Sequence, residues 1–551
     1  MDKHPHDDNN PEANKSSEGI PAPEGAADLI DTDYVIGQDN ITASPMGINL
    51  DLHGKVFTIS SIVILFFVVI ALALQDQIEP IFNVGFSFLT VNMAWFFLLA
   101  ANIFVILSIV LIFTPLGKVR IGGAEAKPDF SYLGWFSMLF AAGMGIGLMY
   151  FGVSEPMDHF QSALGGIATE NGARTDWSPL GAAEGNEQAA IALGMAATIF
   201  HWGLHPWAIY AVVALALALF SFNKGLPLTM RSIFYPVLGE RVWGWPGHVI
   251  DILAVFATLF GLATSLGLGA QQATSGLNDL FGIPDTNTTM VLLIMGITVV
   301  AMGSIFLGVD KGVQQLSKLN MGLAFLLLLF VIIVGPTLMI ATGFFQNLMS
   351  YLVNLPGLSN PFGREDANFS QGWTAFYWAW WISWSPFVGM FIARVSRGRT
   401  VREFLIAVLL VPSLVSVLWM TSFGTAGIQQ FLAGTFEGDA DALFIMLGGL
   451  PLTEITSFIA IVLVMVFFIT SSDSGSLVID SITAGGKVDA PKPQRLFWAI
   501  IEGAIAIALL LGGGLAALQT AVITTGLPFT LVLLVACYAI VKGLMSEPRA
   551  V

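Results

Sequence analysis

The sequence is poor in charge. Asp, Glu, Lys and Arg make up 11% of its 551 residues, against 55% apolar residues, where a soluble domain carries about 25% charged residues. Mean hydropathy is +0.77. A soluble chain of this length could not cover its surface with so few charges, which excludes a cytosolic enzyme. Basic residues are the scarcer sign, 22 against 38 acids, for a net charge of −16, and a polyanionic partner such as nucleic acid is excluded with them. A single cysteine, Cys537, rules out an intrachain disulfide framework. It lies in an apolar run and reads as packing. What is abundant is long apolar runs, so the class is an all-α integral membrane protein with the lipid bilayer as its solvent.

Acid is concentrated at the start. Residues 1–52 hold eleven Asp and Glu against Lys3 and Lys15, with Pro, Asn, Ser and Gly between them. The expectation is an acidic, disordered, cytoplasmic N-terminal tail. It has no basic start of the kind a secretory signal needs.

Apolar runs fall near 56–76, 94–116, 132–153, 190–221, 248–270, 288–308, 319–342, 373–393, 403–428, 456–480, 496–515 and 518–541, about twelve spans. The basic residues test this count. With the N-terminus inside, 20 Lys and Arg fall on the inner side and only Arg174 and Arg364 on the outer. That bias supports both the number of spans and two cytoplasmic termini. Outside, 154–186 is polar and acidic. Residues 344–357 place Phe344, Phe345, Leu348, Tyr351, Leu352 and Leu355 on roughly one helical face, as an interfacial or subunit-packing helix would.

Two spans carry helix breakers. Span three contains Gly143-Met144-Gly145-Ile146-Gly147, and span eight contains Trp384-Ser385-Pro386-Phe387-Val388-Gly389. Glycine lets the backbone leave the helix, and Pro386 lacks a donor. Spans three and eight are five apart. If spans 3–7 and 8–12 are repeats, the breaks are equivalent and an odd repeat inverts the second copy. Matching breaks of this kind point to a transporter's central site.

Aromatic residues stand where packing would use leucine. Residues 373–384 hold five tryptophans, and span four adds His201-Trp202-Gly203-Leu204-His205-Pro206-Trp207-Ala208-Ile209-Tyr210. On an unbroken helix Trp202, Trp207 and Tyr210 share one face. An aromatic belt at the membrane surface explains Trp373 and Trp378. Trp381 and Trp384 adjoin Pro386 and suit a cage instead. Ring faces attract a quaternary ammonium, which has no N–H to donate. Backbone N–H groups freed at Gly143–Gly147 and the Trp384 indole N–H would serve a carboxylate on the same solute. The solute so implied is a zwitterion with a methylated onium head.

The run from Trp380 through Ile382-Ser383-Trp384-Ser385-Pro386-Phe387-Val388-Gly389-Met390-Phe391-Ile392-Ala393-Arg394 to Ser396-Arg397-Gly398-Arg399-Thr400 resembles the signature of the betaine/choline/carnitine transporter (BCCT) family. So do Gly143–Gly147 with Glu155-Pro156, and His201–Tyr210. The resemblance covers about residues 55–545. It implies two peripheral helices followed by a LeuT-type 5+5 inverted repeat, a homotrimer, and a multi-pass protein of the bacterial inner membrane. The expected division is 1–52 tail, 53–128 peripheral helices, 129–343 first repeat, 344–371 external interfacial helix and loop, 372–543 second repeat and 544–551 short cytoplasmic C-terminus. A long, basic, osmotically responsive tail, carried by some members, is not expected here.

By the same resemblance Trp202, Trp207, Tyr210 and Trp381 form the ammonium box. Trp384 and the backbone of Gly143, Met144, Gly145 and Gly147 form the carboxylate side, with Trp380 on the adjoining pathway. No cofactor is expected; sodium is the coupling ion, held by carbonyls of Ala141, Met144 and Phe467 with the Thr470 and Ser471 side chains. Such hydroxyls also commonly bond back to their own helix. A second sodium site draws on Thr258 and Phe387, but Leu262 stands where the family has threonine, and Thr264 and Ser265 are differently phased. Sodium-independent antiporters of the family use an arginine in span five; no Lys or Arg lies between Arg241 and Lys311. Proton-coupled choline members carry an acid where this chain has Gly147. Asp473 reads as a brace near the end of span ten, and His201 and His205 as hydrogen-bonded structural histidines. The function expected is sodium symport of a zwitterionic onium osmolyte, most simply glycine betaine. The alternatives are proton-coupled or exchange transport of choline, carnitine or dimethylsulfoniopropionate and, more remotely, a channel or a non-transporting sensor.

Overall fold

Backbone polar groups with no water to bond satisfy one another along a helix, and the computed structural model of the protein is helical through most of its length. It describes residues 20–143, 145–307, 310–487 and 489–549. Helices α1 (Val56–Ala73) and α2 (Gln75–Phe113) come first. Span three is a pair, α3 (Tyr132–Gly143) and α4 (Ile146–Gly165), bent by 65°. Span four is α5 (Glu187–Trp202) and α6 (Leu204–Ala218), separated at Gly203. After the short α7 (Tyr235–Leu238) follow α8 (Trp245–Phe281), α9 (Asn287–Leu307), α10 (Asp310–Val334) and α11 (Thr337–Leu358). The remainder is α12 (Ala375–Val395), α13 (Val401–Leu432), the short α14 (Ala442–Gly448), α15 (Thr453–Thr483) and α16 (Lys492–Ser546).

Among the described residues nine helices are long and apolar enough to cross a membrane, ten when α3 and α4 count as one span. That number takes α16 as single. At 1.5 Å per residue its 55 residues reach about 83 Å, well beyond a hydrocarbon core of about 30 Å. Gly513 and Gly514, at φ 156° and 58°, leave helical geometry and divide it. The tally also omits the Trp-rich α12. The helices are thus compatible with twelve spans.

Two expectations need correction. Residues 20–52 are not a disordered tail; residues 1–19 of that stretch lie outside the described residues. Strands β1 (Asn40–Ala43) and β2 (Leu50–His53) pair antiparallel. The segment is held by charge and hydrogen bonds: Glu24 to Arg397, Asp28 to Lys224, Asp51 to Lys487, and the Asn40 amide to the Ala484 carbonyl at 2.9 Å. Tyr34 stacks on Trp243 at 4.1 Å. Three of the acids that suggested disorder, Glu24, Asp28 and Asp51, are partners for basic residues at one end of the bundle. At another loop cluster, Arg174 pairs with Asp176 and Arg364 with Asp366, whose carboxylate accepts the Leu180 N–H at 2.7 Å. The only two outer basic residues of the sequence reading therefore sit together.

The second correction is at Pro386, where α12 runs on without a break. Proline removes the N–H that Ile382's carbonyl would accept, and the Ser385 hydroxyl donates to that carbonyl instead, at 2.6 Å. On α11 the six apolar residues expected on one face span about 120° of the helix and differ in burial. Tyr351 is buried, Phe344, Leu348 and Leu355 are half-buried, and Phe345 and Leu352 are exposed.

Candidate substrate site

Glycine-flanked helix ends bring the aromatic residues to one place. At Gly203 the final carbonyls of α5 lose their helical partners. Trp381 on α12 donates its indole N–H to one of them, that of His201, at 2.9 Å. The Leu204 N–H, at the start of α6, donates to the Tyr351 hydroxyl of α11 at 3.2 Å. So Trp202 lies on a different helix from Trp207 and Tyr210, contrary to the unbroken-helix reading, and the three still line one cavity with Trp380, Trp381 and Trp384. Gly145 and Gly147 complete its wall at the start of α4.

The rings stand edge to face. Trp202 meets Trp381 at 4.9 Å and 78°, Tyr210 meets Trp381 at 6.0 Å and 81°, and Trp207 meets Tyr210 at 5.3 Å and 72°. Trp380 stacks on Trp381 at 5.0 Å and 12°, and its N–H is fixed by the Ser265 hydroxyl at 3.1 Å. A Cβ on Gly147 would lie 2.6 Å from Trp202 and 3.0 Å from Trp380, so only glycine lets both rings close over the helix start. Gly143 ends α3, and Met144 lies outside the described residues.

The Trp384 indole N–H is buried and has no hydrogen-bond partner among the described residues. Trp384 and Gly145 line both this cavity and a wider one of about 330 Å³. The wider cavity gathers Ala141, Phe467, Thr470 and Ser471, together with Phe387. Thr470 donates back to the carbonyls of Val466 at 2.9 Å and Phe467 at 3.2 Å, which leaves its oxygen lone pairs as acceptors. These are oxygen donors, the chemistry a hard cation takes. Thr258 likewise bonds back, to Ala254 at 2.7 Å. Leu262 is buried against Gly475, where a Cβ would come within 2.3 Å of it.

Trp378 corrects the belt reading. It is wholly buried and stacked on His205 at 5.4 Å and 16°, because this stretch of α12 is enclosed on every side. Trp373 packs on His159 at 4.8 Å. His205 bonds Asn102 at 2.9 Å, and Asp473 pairs with Arg495 at 2.9 Å, both bracing contacts.

Sequence reasoning missed Glu155. It placed that residue in an outer loop, but α4 continues to Gly165 and buries it. Glu155, His159 and His201 present three ligand-type atoms close together. The 2.6 Å between His201 Nδ1 and Glu155 Oε1 is a hydrogen bond; two ligands of one metal ion at about 2.0–2.2 Å each, set tetrahedrally, stand farther apart. The signal available was an acid about two helical turns beyond the glycines, with no helix breaker between Gly152 and Glu155.

Comparison with known proteins follows the same line. Residues 55–549 match the family described as BCCT, betaine/carnitine/choline family transporter. A glycine betaine/proline/choline transporter of Vibrio parahaemolyticus is 65% identical over 96% of this chain and 97% of its own. Glycine betaine transporter 1 of the same organism is 53% identical over 94% and 97%. The glycine betaine transporter OpuD of Bacillus subtilis is 43% identical over 86% and 91%. With an aromatic cavity between helix ends, a multi-span helical fold and a family match over nearly its whole length, the chain belongs to the BCCT family of osmolyte transporters and is not an enzyme.

Proposed function

We propose that the protein imports glycine betaine by sodium symport across the bacterial inner membrane, with both termini cytoplasmic. The observation that carries this reading is the cavity itself: aromatic faces on one side and, on the other, an unpartnered indole N–H on Trp384. Trp202, Trp207, Tyr210 and Trp381 take the trimethylammonium head, each desolvated face contributing up to about 2 kcal/mol. Trp384 and the backbone of Gly143–Gly147 take the carboxylate, and Trp380 walls the adjoining path. Choline, which the names of two relatives include, has the head without the carboxylate and leaves Trp384 unused. The protein acts as a homotrimer, with α11 at the subunit contact.

One sodium ion is coupled, held by carbonyls of Ala141, Met144 and Phe467 and by the Thr470 and Ser471 side chains. Leu262 removes an oxygen from the second site, leaving Thr258 and Phe387 without the third partner. One sodium moving down about 100 mV yields about 2.3 kcal/mol, and a tenfold gradient about 1.4 more. Together these sustain roughly 500-fold accumulation of a neutral solute. Binding closes the glycine-broken helices, and the two sets of five spans then rock about the site.

Uptake of labelled glycine betaine into proteoliposomes, in sodium and with potassium replacing it, tests the reading. Accumulation is expected in sodium alone, with a Hill coefficient near one, and its loss in Trp381→Ala. Equal uptake in potassium overturns the coupling; no uptake of betaine overturns the substrate.

A further inference from the structure

Glu155 is buried immediately behind the box. Oε2 accepts the Trp202 indole N–H at 2.7 Å and the Tyr377 hydroxyl at 2.5 Å. Oε1 faces His201 Nδ1 at 2.6 Å and His159 Nε2 at 3.3 Å. An indole N–H only donates, and a carboxylate that accepts from four sides is ionised. His201 Nε2 lies 2.9 Å from the Thr374 hydroxyl, and His159 Nδ1 has no partner among the described residues. Each imidazole presents one ring nitrogen to the carboxylate. The ion-pair contacts of the carboxylate among the described residues are these two histidines.

We propose that Glu155 is a positioning residue that sets the specificity of the box, by anchoring Trp202 and Tyr377 and by holding a negative charge behind the Trp202 ring. The inference rests on the proposed onium substrate. A hydrogen bond to an ionised acceptor is shorter and stronger than a neutral one, and it polarises its donor. Electron density pushed into the indole makes its face more attractive to a cation. Trp202 is the ring so treated, and it stands edge-on to Trp381 across the cavity wall. Tyr377, fixed by the same oxygen, stacks within 6.0 Å of Trp381. The carboxylate thus reaches two rings of the box, one directly and one through Tyr377, without touching the solute. A cationic head gains from this charge; an uncharged head of the same shape does not.

The test compares glycine betaine with 3,3-dimethylbutanoate, which replaces the trimethylammonium by a tert-butyl group, using quenching of tryptophan fluorescence in purified protein. The wild type is expected to prefer betaine strongly. Glu155→Gln keeps the size and removes the charge, and it is expected to bind betaine roughly tenfold more weakly with 3,3-dimethylbutanoate unaffected. Glu155→Asp keeps the charge but retracts it by one methylene, and gives a reading that does not depend on the Gln variant folding. Discrimination falls in both, further in Gln. A purely structural role weakens both solutes alike, so an unchanged ratio in either variant that elutes as a single species overturns the proposal. A wild type that does not bind betaine overturns the proposed function and this inference together, whereas an unchanged ratio overturns the inference alone.

Discussion

Trp384 has a ring face toward the cavity and an N–H that nothing in the described protein accepts. A buried donor left unmade is costly unless a ligand supplies the acceptor, and a hydrogen bond to a charged group contributes about 1.5–3 kcal/mol. Trp384→Phe keeps most of the ring and deletes the donor. Betaine binding is expected to weaken about tenfold or more, while choline, with no carboxylate, binds as before. Equal losses for both solutes in a fluorescence titration would contradict this role. The box was legible in the sequence because tryptophan spends an indole N–H and a large face that leucine packing does not need. Glu155 was not, because an acid beside an apolar run looks the same whether the helix stops or continues. Only the four donors gathered on it distinguish the two cases.

Most elements contain their apolar runs, while α2 begins at Gln75, ahead of its run, and α11 at Thr337, inside one. Glycine broke span three as expected; proline did not break span eight, because the neighbouring serine replaced the missing donor. Ser385→Ala is expected to cost about 1 kcal/mol, seen as a lowered thermal midpoint, with the larger effect on transport if α12 then bends at Pro386. The β1–β2 hairpin was invisible to a reading by composition, since its order comes from partners hundreds of residues away. His53 joins it to α1, accepting the Val56 N–H at 3.2 Å, and faces the Arg231 guanidinium at 3.2 Å and the Asp39 carboxylate at 3.7 Å. Burial first, then Arg231, His248 and Lys55, lower its pKa to about 3. The unfolded value is about 6.5, so the folded state refuses a proton that the unfolded state accepts. Its contribution is full above pH 6.5 and is lost as pH falls from there toward 3. The protection of amides 40–53, relative to their intrinsic exchange at each pH, should fall between pH 7 and 5, and His53→Gln should flatten that dependence.

Across the whole molecule, residues 20–53 touch segments on either side of α11: Lys224, Arg231 and Trp243 before it, Arg397, Lys487 and Gln494 after it. Glu24 and Asp28 are about half exposed in their pairs, and such pairs contribute little individually and weaken in salt. Removing both charges, Glu24→Gln with Asp28→Asn, is expected to raise the uptake rate at low ionic strength on that face. The difference from wild type should disappear as salt is added. A rate that rises with salt equally in both proteins would exclude these two pairs as its source.

Those two anchors are only four residues apart in the chain, and a fully extended stretch of that length reaches about 14 Å. The distance over which the Arg397 loop and Lys224 can part is therefore capped by covalent geometry, before either side chain lets go. Small travel leaves the leash slack, and large travel must snap one weak link first. In the proposed rocking of the spans, a mechanical fuse of this kind would limit amplitude without taxing smaller motion.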